Sequence, residues 1–160
     1  MRNLMTYAAS LTLAGVALLA PHVARAQNVS KTAMAGAYTV TLKVLPAEAF
    51  EGKNAEMVRD GGSEPNLLNG SEPPNHHLVA FVKKDGKPVE KGIVNIDYRP
   101  AGGGTWLPLP VVRMHVKGKG LDTTHFGNNL SMVPGNYDAR VTVNGSPPAI
   151  FHFAVAGGSY

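Results

Sequence analysis

The chain has 160 residues, of which 15 are Lys or Arg, 11 are Asp or Glu and none is Cys. Its formal net charge of +4 is too small for the concentrated basic surface that binds phosphate backbones, so we exclude nucleic acid as a partner. The lack of Cys excludes disulfides, thiolate metal sites, iron–sulfur clusters and Cys nucleophiles.

Residues 1–26 have the organisation of a cleaved secretory signal peptide. Arg2 lies at the start, Ala8–Ala20 is predominantly apolar, and Ala24-Arg25-Ala26 has the small-x-small pattern that precedes a cleavage site. The apolar run is shorter than the roughly 20 residues that span a membrane. We therefore predict an exported, periplasmic protein without a membrane span after cleavage. The remaining 134 residues, with a net charge of +2, suit one domain.

The first part of the mature chain combines one strand with a long irregular stretch. We predict a flexible leader at 27–36 and then a strand at Tyr38–Val44, where apolar and polar residues alternate. Pro46 ends this strand. Residues 47–75 are rich in Gly and Pro and are predicted to form a long loop, with a short helix over Ala47–Val58 as an option. Loops of this length are unusual in compact domains and are often functional.

Regular strand signals occupy the rest of the chain. Pro108 and Pro110 indicate an edge strand or a bend, and Tyr137, which follows a Pro-Gly corner, predicts a tyrosine corner. About seven short strands separated by turns predict an all-β, immunoglobulin-like antiparallel β-sandwich over 37–160. After Tyr38–Val44, the predicted strands are His77–Lys83, Gly92–Arg99, Trp106–Val116, Asn129–Val133, Tyr137–Asn144 and Ala149–Ala156.

His and Met supply the chemistry that this composition leaves available. Imidazole nitrogen with thioether sulfur is a donor combination that suits copper, because sulfur favours Cu(I) and nitrogen serves both oxidation states. No nucleophile-elbow pattern and no paired carboxylates are present, so we do not expect an enzyme. The mature chain has five His and four Met, namely His76, His77, His115, His125, His152, Met34, Met57, Met114 and Met132.

One group of candidate ligands lies around a Gly-rich turn. Met114 ends a predicted strand, and His125 lies in the loop that follows. Strand alternation sends Met114 and His115 to opposite faces, so at most one of them shares a site with His125. Met114 is in register with Val112 and Val116 and therefore points toward apolar surroundings. The predicted pair is Met114 with His125.

A second group lies where the long loop meets a strand. His76 and His77 open that strand, and alternation places His77 on the face of Val79 and Phe81. Met57, in the preceding loop, is held in reserve as a ligand for this group.

Four segments resemble YtkA-like periplasmic domains and the related copper-binding accessory proteins of bacterial iron uptake systems. Residues 125–132 (His-Phe-Gly-Asn-Asn-Leu-Ser-Met) and 134–137 (Pro-Gly-Asn-Tyr) resemble their His-Tyr-Gly-x-Asn-hydrophobic segment. Residues 75–78 (Asn-His-His-Leu) and 83–91 resemble their His-Leu strand and the turn after it. The resemblance covers about half of the mature chain. In the iron-uptake group it implies an immunoglobulin-like sandwich with a copper site built from His and Met.

The resemblance assigns three residues to that copper site. His77 matches the His of the His-Leu strand, Met114 matches the Met before the His-Tyr-Gly segment, and His125 matches the His of that segment. Val79 stands where the iron-uptake group has a Glu, the spacing from Met114 to His125 is longer, and an additional family His lies in an insertion that this chain lacks. The sequence therefore departs from the family within the predicted donor set.

Simple up-and-down strands separate these candidates. In that arrangement His77 starts one strand and Met114 and His125 lie at the opposite end. The two strand ends are then more than about 20 Å apart. A single site then requires the Gly-rich loop to fold back along the sheet, or a partner subunit to supply a ligand. The alternative is two half-sites: Met114 with His125, and Met57 with His76 or His77.

The leading prediction is a periplasmic copper-binding carrier or accessory protein for metal delivery or uptake. Its metal ligands are predicted among His76, His77, Met114 and His125, and its partners are the metal ion and a membrane transporter or metal-acceptor protein. The oligomeric state is left open, with a homodimer among the options. The competing prediction is an immunoglobulin-like protein–protein interaction module that binds no metal and uses the 47–75 loop for contact.

Overall fold

Two antiparallel sheets account for most of residues 28–48, 57–59 and 74–156, which are the residues described by the computed structural model. The predicted all-β sandwich is confirmed. Short strands number eleven in the described ranges, because one of the seven predicted strands is divided and three strands were not predicted. They are β1 (Val29–Ala35), β2 (Tyr38–Pro46), β3 (Met57–Arg59), β4 (His76–Lys84), β5 (Lys87–Pro88), β6 (Val94–Pro100), β7 (Leu107–Leu109), β8 (Val112–Val116), β9 (His125–Leu130), β10 (Gly135–Val143) and β11 (Ala149–Val155).

The sheets have different sizes. The first sheet has the order β1-β2-β4-β9-β8-β3, with β5 paired to the end of β4, and the second sheet has the order β11-β10-β6-β7. A 3₁₀ turn at Leu121–Thr123 connects β8 with β9. Within the described ranges, no helix is long and apolar enough to cross a membrane.

The main hydrophobic core fills the space between the sheets. On β11 every second residue is buried, as expected for a strand with one face inside. On β2, Val40, Leu42 and Val44 are buried in the same way and face the core. Leu78 and Phe126 belong to this core too, so their neighbours along β4 and β9 point to the opposite, outer face of the first sheet.

Strand β1 replaces most of the predicted flexible leader at 27–36. Its seven residues pair with β2, from Val29 opposite Val44 to Ala35 opposite Tyr38. A two-residue turn joins the strands, and Gly36 adopts a positive φ of 58° there. The prediction of a leader was wrong because β1 is a largely exposed edge strand, whose polar residues conceal the alternation.

The long 47–75 connection contains a strand that the sequence did not indicate. Residues 57–59 form β3 and pair with β8, which ends the first sheet, so the optional helix over Ala47–Val58 is wrong at its last two residues. Residues 49–56 and 60–73 lie outside the described residues, as does the predicted signal peptide. The signal peptide and the loop over residues 49–56 and 60–73 therefore stay predictions.

Two strand boundaries differ from the prediction in ways that matter for the site. The predicted Trp106–Val116 strand is two strands, because the chain leaves the second sheet after β7 and enters the first sheet at β8. Pro110 lies at this crossing, and β7 is an edge strand as its Pro108 indicated. Strand β9 begins at His125, four residues before the predicted start at Asn129, which moves His125 from a loop into the sheet.

The predicted tyrosine corner is confirmed. Tyr137 opens the buried part of β10, and its hydroxyl donates to the Val133 carbonyl oxygen at 2.9 Å. The bond fixes the corner through which the chain passes from the first sheet into the second.

Candidate metal-binding site

Strands β4, β9 and β8 lie side by side and place three predicted ligands on the outer face of the first sheet. Met114 on β8 is the register partner of His125 on β9, and His77 on β4 is the register partner of Asn129 on β9. Directly opposed residues of an antiparallel pair point to the same face, with Cβ atoms about 5 Å apart. His77, Met114 and His125 are each 0% exposed.

The rings of His77 and His125 are close neighbours. Their centroids are 5.9 Å apart and their planes are nearly perpendicular, at 89°. The expected separation of over 20 Å was wrong, because the register of β4 and β9 places His125 beside Phe81 rather than beyond the end of β4. Four residues of strand, about 13 Å, separate the two backbones, and the rings lean toward each other across that interval.

Gly127 lies on β9 between the positions of these two rings, and it allows β9 to approach β4 closely. It occupies the position on β9 between His125 and Asn129 on the same face. A Cβ atom at Gly127 would collide with the Leu78 carbonyl oxygen and would lie 2.7 Å from Val79 Cα. Only a residue without a side chain permits this backbone contact between β9 and β4.

A backbone carbonyl fixes the ring of His125. Its Nδ1 lies 2.9 Å from the Thr123 carbonyl oxygen, which can only accept, so Nδ1 carries the proton and donates. In the neutral ring the lone pair is therefore on Nε2. That atom is buried and has no hydrogen-bond partner among the described residues. A buried polar atom without a partner costs free energy, so Nε2 is a natural ligand position.

Asn129 fixes the ring of His77 in the same way. The Asn129 amide is oriented by Glu48, whose backbone N–H donates to Oδ1 at 3.1 Å and whose carbonyl accepts from Nδ2 at 2.8 Å. The same Oδ1 lies 2.9 Å from His77 Nδ1, which must therefore donate to it. Both imidazoles thus have an oxygen acceptor on Nδ1, the arrangement that orients metal-binding His residues.

Burial keeps both rings neutral near pH 7. It lowers the pKa of His77 to about 4, with a further lowering from His125 and an opposing effect of the Asn129 hydrogen bond. Burial also lowers the pKa of His125, against the effect of the Thr123 hydrogen bond, and His115 and Lys43 lower it further. Neutral imidazole is the form that binds a metal, so little proton competition remains at neutral pH.

Met114 adds a sulfur atom in apolar surroundings. It packs with Val79 and Val112 in a small cluster on the outer face, separate from the main core. These two valines lie in one row with Gly127, next to the row that contains Met114 and His125. The predicted apolar environment of Met114 is confirmed.

The spacing of the rings suits a shared ion. An imidazole nitrogen binds a first-row metal at about 2 Å, so two rings that share one ion have centroids up to about 6 Å apart. No cluster of three or more His, Asp or Glu side chains is placed to hold a metal within the described ranges. The candidate donor set is therefore two imidazoles and a thioether, without a carboxylate from β2, β4, β8 or β9, none of which contains Asp or Glu.

Three other candidate ligands occupy other positions in the first sheet. His76 is buried on the opposite face from His77, with its Nδ1 2.6 Å from Asn75 Oδ1. His115 follows Met114 on β8 and pairs with Val58. Met57 pairs with Val116, and its strand is separated from β4 by β9 and β8. The structure thus brings His77, Met114 and His125 to one face and leaves His76 on the other.

Several groups that support the two rings are not indicated by the sequence patterns. Asn129, the Thr123 carbonyl and Gly127 position the two rings, while Phe81 stacks on His125 with centroids 5.0 Å apart. The spacing His125-x-Gly127-x-Asn129 is the signal that could have identified them, because in a strand those three residues share one face.

The second sheet carries a separate charged network that includes His152. Asp138 lies 2.7 Å from His152 Nδ1 and 3.2 Å from Arg99 Nε, and the hydrogen bond from His152 is the main cause of the lowered pKa of this carboxyl. Arg99 and Arg140 lie against the Trp106 ring at 4.2 and 4.8 Å. These contacts satisfy the charges within the network, so His152 has no part in the candidate site.

No protein-family model, curated protein or solved structure matches this chain.

Proposed function

We propose that this chain is a periplasmic copper-binding protein, a carrier or accessory protein for metal delivery or uptake. The observation that carries the proposal is the pair of buried imidazoles, His77 and His125, 5.9 Å apart and each bonded through Nδ1 to an oxygen acceptor. Met114, opposite His125, supplies the third donor. The resemblance of residues 125–132 to copper-binding accessory proteins supports the same assignment.

Copper suits these donors better than other first-row metals. Neutral imidazole and thioether are borderline to soft ligands, and copper heads the affinity order of the divalent ions at nitrogen-rich sites. Zinc and iron sites with carboxylate ligands would need acidic residues that β2, β4, β8 and β9 do not contain. The ion is cargo, held by neutral ligands that a transporter or metal-acceptor protein could replace one at a time.

Titration of the purified mature chain with copper against a competing chelator tests the proposal. We expect one equivalent to bind and the Met114→Ala, His125→Ala double variant to lose that binding. A Met34→Ala, His152→Ala double variant is the matched control, because both side chains are exposed and lie away from the site. Equal affinities of the wild type and the site variant would refute the proposal.

A second experiment examines the protein as the cell makes it. Native mass spectrometry of material released from the periplasm should show a copper-sized mass increment in the wild type. That increment should be absent from the Met114→Ala, His125→Ala variant and present in the control. Apo protein in both wild type and variant, under copper-replete growth, would contradict the proposal.

A further inference from the structure

A lysine lies beside the candidate site on the neighbouring strand. Lys43 on β2 is the register partner of Val79 on β4, so it shares the outer face with the site. Its Nζ lies 4.7 Å from the centroid of the Phe81 ring, and that ring stacks on His125 at 5.0 Å. The two contacts place the ammonium within about 10 Å of the His125 ring.

This ammonium acts on the site electrostatically. A metal cation bound by His125 would be repelled by the Lys43 ammonium across the Phe81 ring. The half-buried Phe81 ring contacts both the ammonium and His125, so part of that path is protein rather than water and the dielectric screening is lower than in bulk solvent. Repulsion is proportional to the charge of the ion, so a divalent ion is penalised twice as much as a monovalent one.

Three other features of the site also favour a monovalent ion over a divalent one. Both His side chains and Met114 are fully buried, and the Born cost of burying an ion grows with the square of its charge. None of β2, β4, β8 and β9 contains an Asp or Glu, and the hydrogen bonds between Glu48 and Asn129 are made by the backbone of Glu48. Thioether sulfur is itself a soft ligand that selects Cu(I).

We propose that Lys43 makes this site selective for copper in its monovalent state, Cu(I), over Cu(II). The proposal rests on the copper-binding function proposed above and specifies the form of its cargo. Lys43 is a specificity-determining residue that does not touch the ion.

Removal of the lysine charge gives a quantitative test. At about 10 Å and an effective dielectric constant of about 20, one unit of charge is worth about a tenfold change in affinity. We therefore expect Lys43→Gln to strengthen Cu(I) binding about tenfold and Cu(II) binding about a hundredfold. The resulting tenfold change in their ratio lowers the reduction potential of the bound copper by about 59 mV.

Lys31→Gln is the matched control. It makes the same change of charge on the neighbouring strand β1, but its register partner is the core residue Leu42, so it belongs to the opposite face of the sheet. We expect its Cu(I) to Cu(II) affinity ratio to equal that of the wild type. Ag(I) and Zn(II), which do not change oxidation state, provide a second monovalent and divalent pair for the three proteins.

Each outcome supports or overturns the role of Lys43. A wild-type reduction potential above that of aqueous copper, lowered by Lys43→Gln and not by Lys31→Gln, supports the proposal. A wild type that prefers Cu(II), or a ratio that Lys43→Gln leaves unchanged, overturns the role of Lys43 while copper binding itself stands. A wild type that binds none of the four ions overturns both this inference and the proposed function.

Discussion

Acidification should destabilise the metal-free protein because it forces protons onto buried histidines. Burial lowers the pKa of His77 from 6.5 to about 4, so between these values the unfolded chain binds a proton that the folded chain does not. Stability therefore falls as the pH drops through 6.5 and becomes insensitive to this group below about 4. The opposite slope would require a raised pKa.

The magnitude follows from the size of the shift. One pKa unit corresponds to about 1.4 kcal/mol, so the full effect of His77 is about 3 kcal/mol in the free energy of unfolding. About 2 kcal/mol of this is lost between pH 7.5 and pH 5. His76 and His125, whose pKa values are also lowered by burial, add to the loss in the wild type. Measurements that stop at pH 5 leave out the carboxyl groups, which titrate at lower pH.

Urea unfolding at pH 7.5, 6.5, 5.7 and 5.0, with a chelator present, measures this effect. Trp106 is the single tryptophan of the chain and reports the transition by fluorescence. We expect the free energy of unfolding of His77→Gln to fall by about 2 kcal/mol less than that of the wild type over this range. Met34→Gln, which changes an exposed side chain that does not titrate, is the control and should follow the wild type.

Two measurements can contradict the lowered pKa of His77. A His77→Gln variant whose stability falls with pH as steeply as the wild type would show that His77 does not titrate with a lowered pKa. A proton NMR titration of the His77 ring in the wild type gives the same answer without a substitution. A midpoint near 6.5 there would contradict the effect of burial described for this residue.

Two further predictions concern the scaffold of the site. Gly127→Ala should destabilise the fold by about 3 kcal/mol and also weaken copper binding, because its Cβ would force β9 away from β4. Gly135→Ala controls for the added methyl, because Gly135 has no positive φ and its new Cβ would lie 3.9 Å from the nearest atom, in the Tyr137 ring. An unchanged urea midpoint for Gly127→Ala would refute the close contact between β9 and β4. Tyr137→Phe should lower the free energy of unfolding by about 1 kcal/mol, because it loses the hydrogen bond to the Val133 carbonyl, and should leave the copper affinity unchanged. Calorimetry measures this loss. An unchanged free energy of unfolding would show that the bond does not stabilise the corner.

Local patterns predicted the elements of the site but not their arrangement. Alternation alone correctly placed His77 on the face of Phe81 and Met114 among apolar residues, because side-chain direction in a strand depends only on position along it. The separation of more than about 20 Å that simple up-and-down strands imply was wrong, because it took no account of the register between β4 and β9. That register is set by pairing between residues about fifty positions apart, which no local pattern encodes.

The β-sandwich, its core faces and the tyrosine corner follow from the sequence by itself, since periodicity, turn residues and the Pro-Gly-Asn-Tyr137 segment act over a few residues. Tertiary structure alone decided that His77 and His125 meet across Gly127 and that Asn129 and Thr123 fix their lone pairs on Nε2. It also placed Lys43 beside them. The physical reason is that burial, hydrogen-bond partners and charge proximity are properties of chain segments brought together by long-range packing, and they exist only once the sheets have formed.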